Sequence, residues 1–138
     1  DLHSFPTRRS SDLNLCYHWY VQGETFFQVH PQLESYYNGI NSQIDELAEL
    51  MLMDNKKPVS TMKEFAELTT VKDAPGDFVK DMNAVFSDVL SDFESLQESA
   101  KEIKAKAGAE GNGLVDAKMD DFIEDYAKTI WMLKSALA

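Results

Sequence analysis

Three stretches of this chain repeat apolar residues at alternating steps of three and four, a spacing that only an α-helix can gather onto one buried face. The first carries Leu33, Tyr37, Ile40, Ile44, Leu47 and Met51. The second carries Phe78, Met82, Val85, Val89, Phe93, Leu96 and Ile103, and the third Met119, Phe122, Tyr126, Ile130, Leu133 and Leu137. No segment alternates with the period of two that a half-buried strand needs, and no segment repeats another. Leu15 to Val21 reads as the last turns of a further helix, ended by Gly23 and Glu24. Pro31 is tolerated only in a first helical turn, so the next helix is predicted to start between Phe26 and His30. Asp54-Asn55-Lys56-Lys57-Pro58 ends it, and Thr61-Met62-Lys63-Glu64 is a capping box opening a short helix through Phe65 and Leu68. A loop is expected around Asp73-Ala74-Pro75-Gly76, and Gly108, Gly111 and Gly113 separate the last two helices. The expected fold is an all-α, antiparallel four-helix bundle with a short helix in the middle connection, its first helix largely missing.

Asp1–Leu13 resembles the translation of a sequencing-library adapter. It is expected to be non-native, leaving one domain over 14–138 whose natural start is lost. A chain of 138 residues buries one core and has no room for a second domain. The formal charge is −11, and the two Arg and two Asp of residues 1–13 cancel, so the remainder is equally acidic. Such a body repels phosphate backbones and attracts cations. Cys16 is the only cysteine, so no intrachain disulfide forms, as suits a reducing compartment. No apolar run reaches the length of a membrane span.

Within that acidic body, His18, His30, Glu34, Asp45 and Glu49 combine imidazole and carboxylate, the ligands that non-haem iron accepts. His30 and Glu34 are four apart, as are Asp45 and Glu49, so each pair shares a helix face. At about 100° and 1.5 Å per residue, all four fall within an arc of about 100°, centred about 110° from the apolar stripe. Glu34 and Asp45 then stand roughly 16 Å apart along the axis. Metal–ligand bonds of about 2 Å cannot close that gap. Two antiparallel copies of the helix, related by a two-fold axis, would bring Asp45 and Glu49 of one opposite His30 and Glu34 of the other. His18 would join from the preceding helix, and each dimer would hold two equivalent sites. The Glu-x-x-His motif of intrachain di-iron bundles does not occur in this sequence.

The local text is His18-Trp19-Tyr20-Val21-Gln22-Gly23, then Phe26-Phe27, His30, and Ile44-Asp45-Glu46-Leu47-Ala48-Glu49. From about Leu15 to the C-terminus it closely resembles the Dps family, the DNA-protection-during-starvation mini-ferritins. The resemblance implies an iron-binding ferroxidase that oxidises Fe2+ to Fe3+, with hydrogen peroxide as favoured oxidant, and stores the ferric product. It further implies an intersubunit centre, a hollow dodecamer built from two-fold dimers, and a place in the bacterial cytoplasm or nucleoid. Trp19 would sit near the iron and quench radicals; a core-packing role is the plain alternative, and the two are compatible. Acids near the start of the last helix line pores in this family, which points to Asp116 and Asp120, although acids at a helix N-terminus also simply favour the macrodipole. Three departures stand out: Leu50 replaces a basic residue, Glu34 stands where Asp is usual, and Asp54-Asn55-Lys56-Lys57 replaces a glycine pair. The alternative function is DNA compaction with secondary iron chemistry. The net charge disfavours it, and Lys134-Ser-Ala-Leu-Ala138 has no lysine-rich run.

Overall fold

The structure, a computed structural model, describes residues 8–58, 63, 64, 67, 74 and 76–138, and among these four long helices carry the bundle. They are α1 (Arg8–Tyr20), α2 (Phe26–Met53), α3 (Met82–Ala109) and α4 (Gly113–Leu137). Among the described residues there is no strand, only an isolated parallel bridge between Val21 and Val79. Gln22 N–H donates to Val79 C=O at 2.9 Å and Val79 N–H to Tyr20 C=O at 3.0 Å. That bridge ties the end of α1 to the segment leading into α3. The starts of α2 and α3 therefore share one end of the bundle. At the other end, the Lys118–Glu46 ion pair joins the first turns of α4 to the second half of α2.

The helix ends follow from local chemistry. α2 stops at Asp54 because Asn55 adopts φ 56°, and Lys56 N–H and Asn55 N–H bond back to the carbonyls of Met51 and Leu52 at 2.8 and 3.1 Å. This is a Schellman end in which Asn takes the left-handed position that glycine more often fills. α3 ends likewise at Gly111 (φ 73°), with Asn112 N–H on Ala107 C=O at 2.8 Å. The Asn112 side chain then accepts from Val115 N–H, so one residue closes α3 and opens α4. Asp81 caps α3 by accepting from Ala84 N–H at 3.1 Å.

The predicted stripes form the core: Leu33, Ile40 and Leu47 from α2, Val85, Val89, Phe93, Leu96 and Ile103 from α3, and Met119, Phe122, Tyr126, Ile130 and Leu133 from α4 are all buried. Three sequence expectations are corrected. Phe78 precedes α3, is exposed, and meets the Tyr20 ring edge-on instead of joining the core. Tyr36, one position from the expected Tyr37, packs on Phe93, because Tyr37 turns toward α1. Pro31 lies in the second turn of α2, not the first, at an exposed position, and its ring nitrogen cannot give the Phe27 carbonyl the usual intrahelical hydrogen bond. The capping box at Thr61 and the helix through Phe65 and Leu68 lie outside the described residues, as do Asp73 and Pro75. Lys63, Glu64 and Glu67 are helical. α1 runs without a break from Arg8 across the expected domain start at 14.

α1 packs on α2 and α3 on α4, while the two hairpins meet partly through polar bonds. Tyr17 donates to Asp88, Tyr126 to Gln43 at 2.8 Å, and Ser10 to buried Asp92 at 2.9 Å. Burial pushes the Asp92 carboxyl up to about 6, against which the single Ser10 bond works only in part. Its second oxygen has no partner, nor does the buried amide oxygen of Asn14.

Candidate metal centre

The α1–α2 turn creates the geometry of the histidine pair. Gly23 takes φ 119°, a conformation closed to L side chains, and Phe26 N–H bonds back to Gly23 C=O at 3.2 Å. The reversal lays His18, in the last turn of α1, against His30, in the second turn of α2. Their rings stack with centroids 3.6 Å apart and planes at 16°. Each ring donates from Nδ1–H to the other residue's backbone carbonyl, both at 2.7 Å. The His18 carbonyl, at the end of α1, lacks an intrahelical partner, and the His30 ring satisfies it. In the neutral ring with Nδ1 carrying the proton, Nε2 presents a lone pair. A backbone carbonyl that orients the far nitrogen is the usual support of a metal-bound histidine. Phe26 stacks on His30 at 4.7 Å, and Tyr37 meets His18 edge-on at 5.4 Å, so aromatic walls hold both rings.

Glu34 follows His30 by one helical turn and is exposed, as are Asp45 and Glu49. All three lie on the uninterrupted α2, so the two pairs remain roughly 16 Å apart. Among the described residues of one chain, no three such groups converge on a point. The structure thus brings His18 and His30 together, and leaves Glu34, Asp45 and Glu49 exposed along α2. Trp19 is 59% exposed beside the pair, so the core-packing alternative for it is set aside. Leu50 is buried in the core.

Asp116 and Asp120 both bond Lys104 of α3, Asp120 at 3.1 Å. The two hydrogen bonds, that to Asp116 foremost, raise the Lys104 pKa, and its charge offsets one of theirs. Gly108 gives Asp116 room, since a methyl there would come within 3.3 Å of its other carboxylate oxygen. Sequence reading missed this ion triad and the reciprocal histidine bonds. The only available signals were Phe26 four residues before His30, and the similar distances of Lys104 and Asp116 from the Gly111 turn.

A four-helix bundle with a histidine–carboxylate face is the ferritin-like arrangement, and the ferritin-like domain family matches residues 8–138. The chain belongs to the Dps family. It is 32% identical over 120 residues to the DNA protection during starvation protein of Listeria innocua, covering 87% of this chain and 77% of that one. It is 36% identical over 121 residues to general stress protein 20U of Bacillus subtilis, covering 88% and 82%. The crystal structure of Helicobacter cinaedi CAIP superposes with a TM-score of 0.91 at 26% identity, covering 99% of this chain and 97% of that one. The Vibrio cholerae Dps protein, described as a ferritin-like diiron-carboxylate protein, gives 0.90 at 26% identity, covering 99% and 84%. Iron binding and stress protection are therefore this chain's general province, and no helix among the described residues is long and apolar enough to cross a membrane.

The turn itself is testable. Gly23→Val should strain the backbone by about 1–3 kcal/mol. Thermal melting should fall by several degrees, and calorimetric ferrous affinity should drop as the rings lose register.

Proposed function

We propose that this protein is a ferroxidase and iron store that protects DNA by removing the reagents of Fenton chemistry. His18, His30 and Glu34 of one chain, with Asp45 and Glu49 of its neighbour, hold ferrous ion as substrate. Two ferrous ions give one electron each to hydrogen peroxide, whose O–O bond breaks to two hydroxides, and the ferric product mineralises in the cavity of a dodecamer. The observation that carries this reading is the stacked histidine pair with both Nδ1 atoms committed to carbonyls, which leaves both Nε2 atoms for a metal, with Glu34 one helical turn along α2 from His30. Bare imidazole nitrogens and carboxylates favour iron, and the acidic body draws it in. Trp19, which follows His18 and is exposed, intercepts oxidising equivalents in this reading. Asp116 and Asp120, half offset by Lys104, form the entry route for the ion. The bacterial cytoplasm is the setting.

Stopped-flow absorbance should show faster ferrous oxidation with peroxide than with oxygen. A His18→Ala, His30→Ala variant should lose the rapid phase by at least about 100-fold; unchanged kinetics would remove the assignment. Direct DNA compaction is the lesser reading, because −11 per chain opposes duplex binding. A gel-shift at physiological salt should leave duplex free, and salt-sensitive retardation would favour compaction instead.

A further inference from the structure

Asparagine followed by glycine occurs twice in this chain, at Asn38-Gly39 and Asn112-Gly113. With no side chain on the second residue, its backbone nitrogen can reach the asparagine side-chain carbon and close a five-membered imide. Asn38 is exposed and Asn112 half-buried, so solvent access alone would favour Asn38. The backbone reverses that order. Gly39 lies in the middle of α2, where its N–H is committed to the helical ladder and its peptide cannot turn without breaking the helix. Asn112 stands between helices: it is the N-cap of α4, with φ −85° and ψ 81°, and Gly113 is the first helical residue. The first N–H groups of a helix have no intrahelical acceptor. That of Gly113 meets Gly111 C=O, two residues back, at 3.2 Å. The Asn112 side-chain oxygen accepts from Val115 N–H at 3.3 Å, which draws electrons from the amide carbon. The positive end of the α4 macrodipole favours the negative charge that the Gly113 nitrogen must carry to attack.

We propose that Asn112 is a self-modification site, converting in the folded protein to aspartate and isoaspartate while Asn38 is spared. Hydroxide removes the Gly113 N–H proton, and the nitrogen forms a bond to Asn112 Cγ. The Cγ–Nδ2 bond breaks, and the amide nitrogen leaves as ammonia with a proton from water. Water then opens the imide. Cleavage between its nitrogen and Cγ gives aspartate, and cleavage on the main-chain carbonyl side gives isoaspartate. The aspartate form keeps the α4 cap, since an ionised carboxylate accepts from the same N–H and suits the helix start. The isoaspartate form lengthens the backbone by one methylene at a residue whose N–H bonds Ala107 C=O at 2.8 Å and whose side chain caps Val115, so it loosens the α3–α4 turn. Either product adds a negative charge. Residues 112, 116 and 120 are spaced by four, so the new carboxylate adjoins Asp116 and Asp120, the pair that Lys104 bonds. Where those acids form the entry route, the modification strengthens its pull on cations. That consequence rests on the proposed function, and the modification itself does not.

The test follows both asparagines in the full chain during prolonged incubation in mildly alkaline buffer, by peptide mass spectrometry with isoaspartyl methyltransferase labelling. Asn112 should convert at least about tenfold faster than Asn38, because reaction at Asn38 waits for α2 to open locally. Gly113→Ala separates the chemistry from the structure. A Cβ there has nothing within 4 Å, so circular dichroism and melting should be unchanged, while conversion at 112 falls at least about tenfold. Asn112→Asp should melt like the fresh protein, and protein enriched in isoaspartate should melt lower. No conversion at Asn112, conversion at Asn38 as fast or faster, or an Asn112 rate unmoved by Gly113→Ala would overturn the proposal. Ferrous uptake by Asn112→Asp, set against the unaltered chain, reports on the entry route separately. Unchanged uptake would discard that consequence and leave the modification standing.

Discussion

Two inactive variants should make an active mixture. A chain carrying His30→Ala and Glu34→Ala lacks one half of the proposed site, and a chain carrying Asp45→Ala and Glu49→Ala lacks the other. Each alone should lose ferrous oxidation by at least about 100-fold, since every interface it forms is short of two ligands. In a mixed dimer one site loses all four groups and the other keeps all four. Equal mixing puts about half of all dimers in the mixed state, each with one intact centre of two, so about a quarter of wild-type activity should return. The roughly 16 Å between the two pairs along α2 motivates this result. A site confined to one chain predicts no recovery at any ratio. Native mass spectrometry establishes that subunits have exchanged, and activity still missing after exchange would end the two-fold model.

Asp92→Asn should stabilise the protein at neutral pH. The carboxyl is buried, bonded only by Ser10, and its pKa rises from 3.8 to about 6. In the unfolded chain the group ionises first, so the native state holds an extra proton between the two values. Stability therefore falls as pH rises from about 4 to about 6 and stays lowered above that. A shift of this size corresponds to about 3 kcal/mol at most, with native relaxation reducing it to about 1–3 kcal/mol. An amide has the same shape, still accepts from Ser10, and offers N–H donors in a region where the Asn14 amide oxygen is unpaired. Melting at pH 7.5 should rise by several degrees, and the advantage should vanish near pH 4. An equal effect at both values would mean that packing, not ionisation, sets the difference. The neighbouring Tyr126 phenol, itself pushed up by burial and then by the charges of Asp92 and Asp125, should ionise more readily in this variant.

Much of the bundle was legible because helical spacing and end signals are local. The stripes through Leu33, Val85 and Met119 became core, and Asp54-Asn55 and Gly111 became helix ends, each through contacts spanning only a few residues. Phe78 and Tyr37 misled because periodicity marks an apolar phase without saying where a helix starts or which neighbour a border residue will meet. Asp81 capped α3 after Phe78, and α1 drew Tyr37 toward His18. The site divided the same way. That His30 and Glu34 share one helix face with Asp45 and Glu49, well separated along it, follows from residue numbers and helix pitch alone.

By itself, then, the sequence determined the helical class, the core stripes and, for the ligand set proposed, the distance forbidding one metal from joining all four α2 groups. Tertiary structure alone decided that His18 and His30 stack, that each pins the other's Nδ1 on a backbone carbonyl, that Lys104 holds Asp116 and Asp120, and that Asp92 is buried with an unpaired oxygen. The physical reason is range. Helix phase and capping depend on residues within about two turns of each other, whereas these contacts join side chains from different helices, and their partners exist only once the helices have packed.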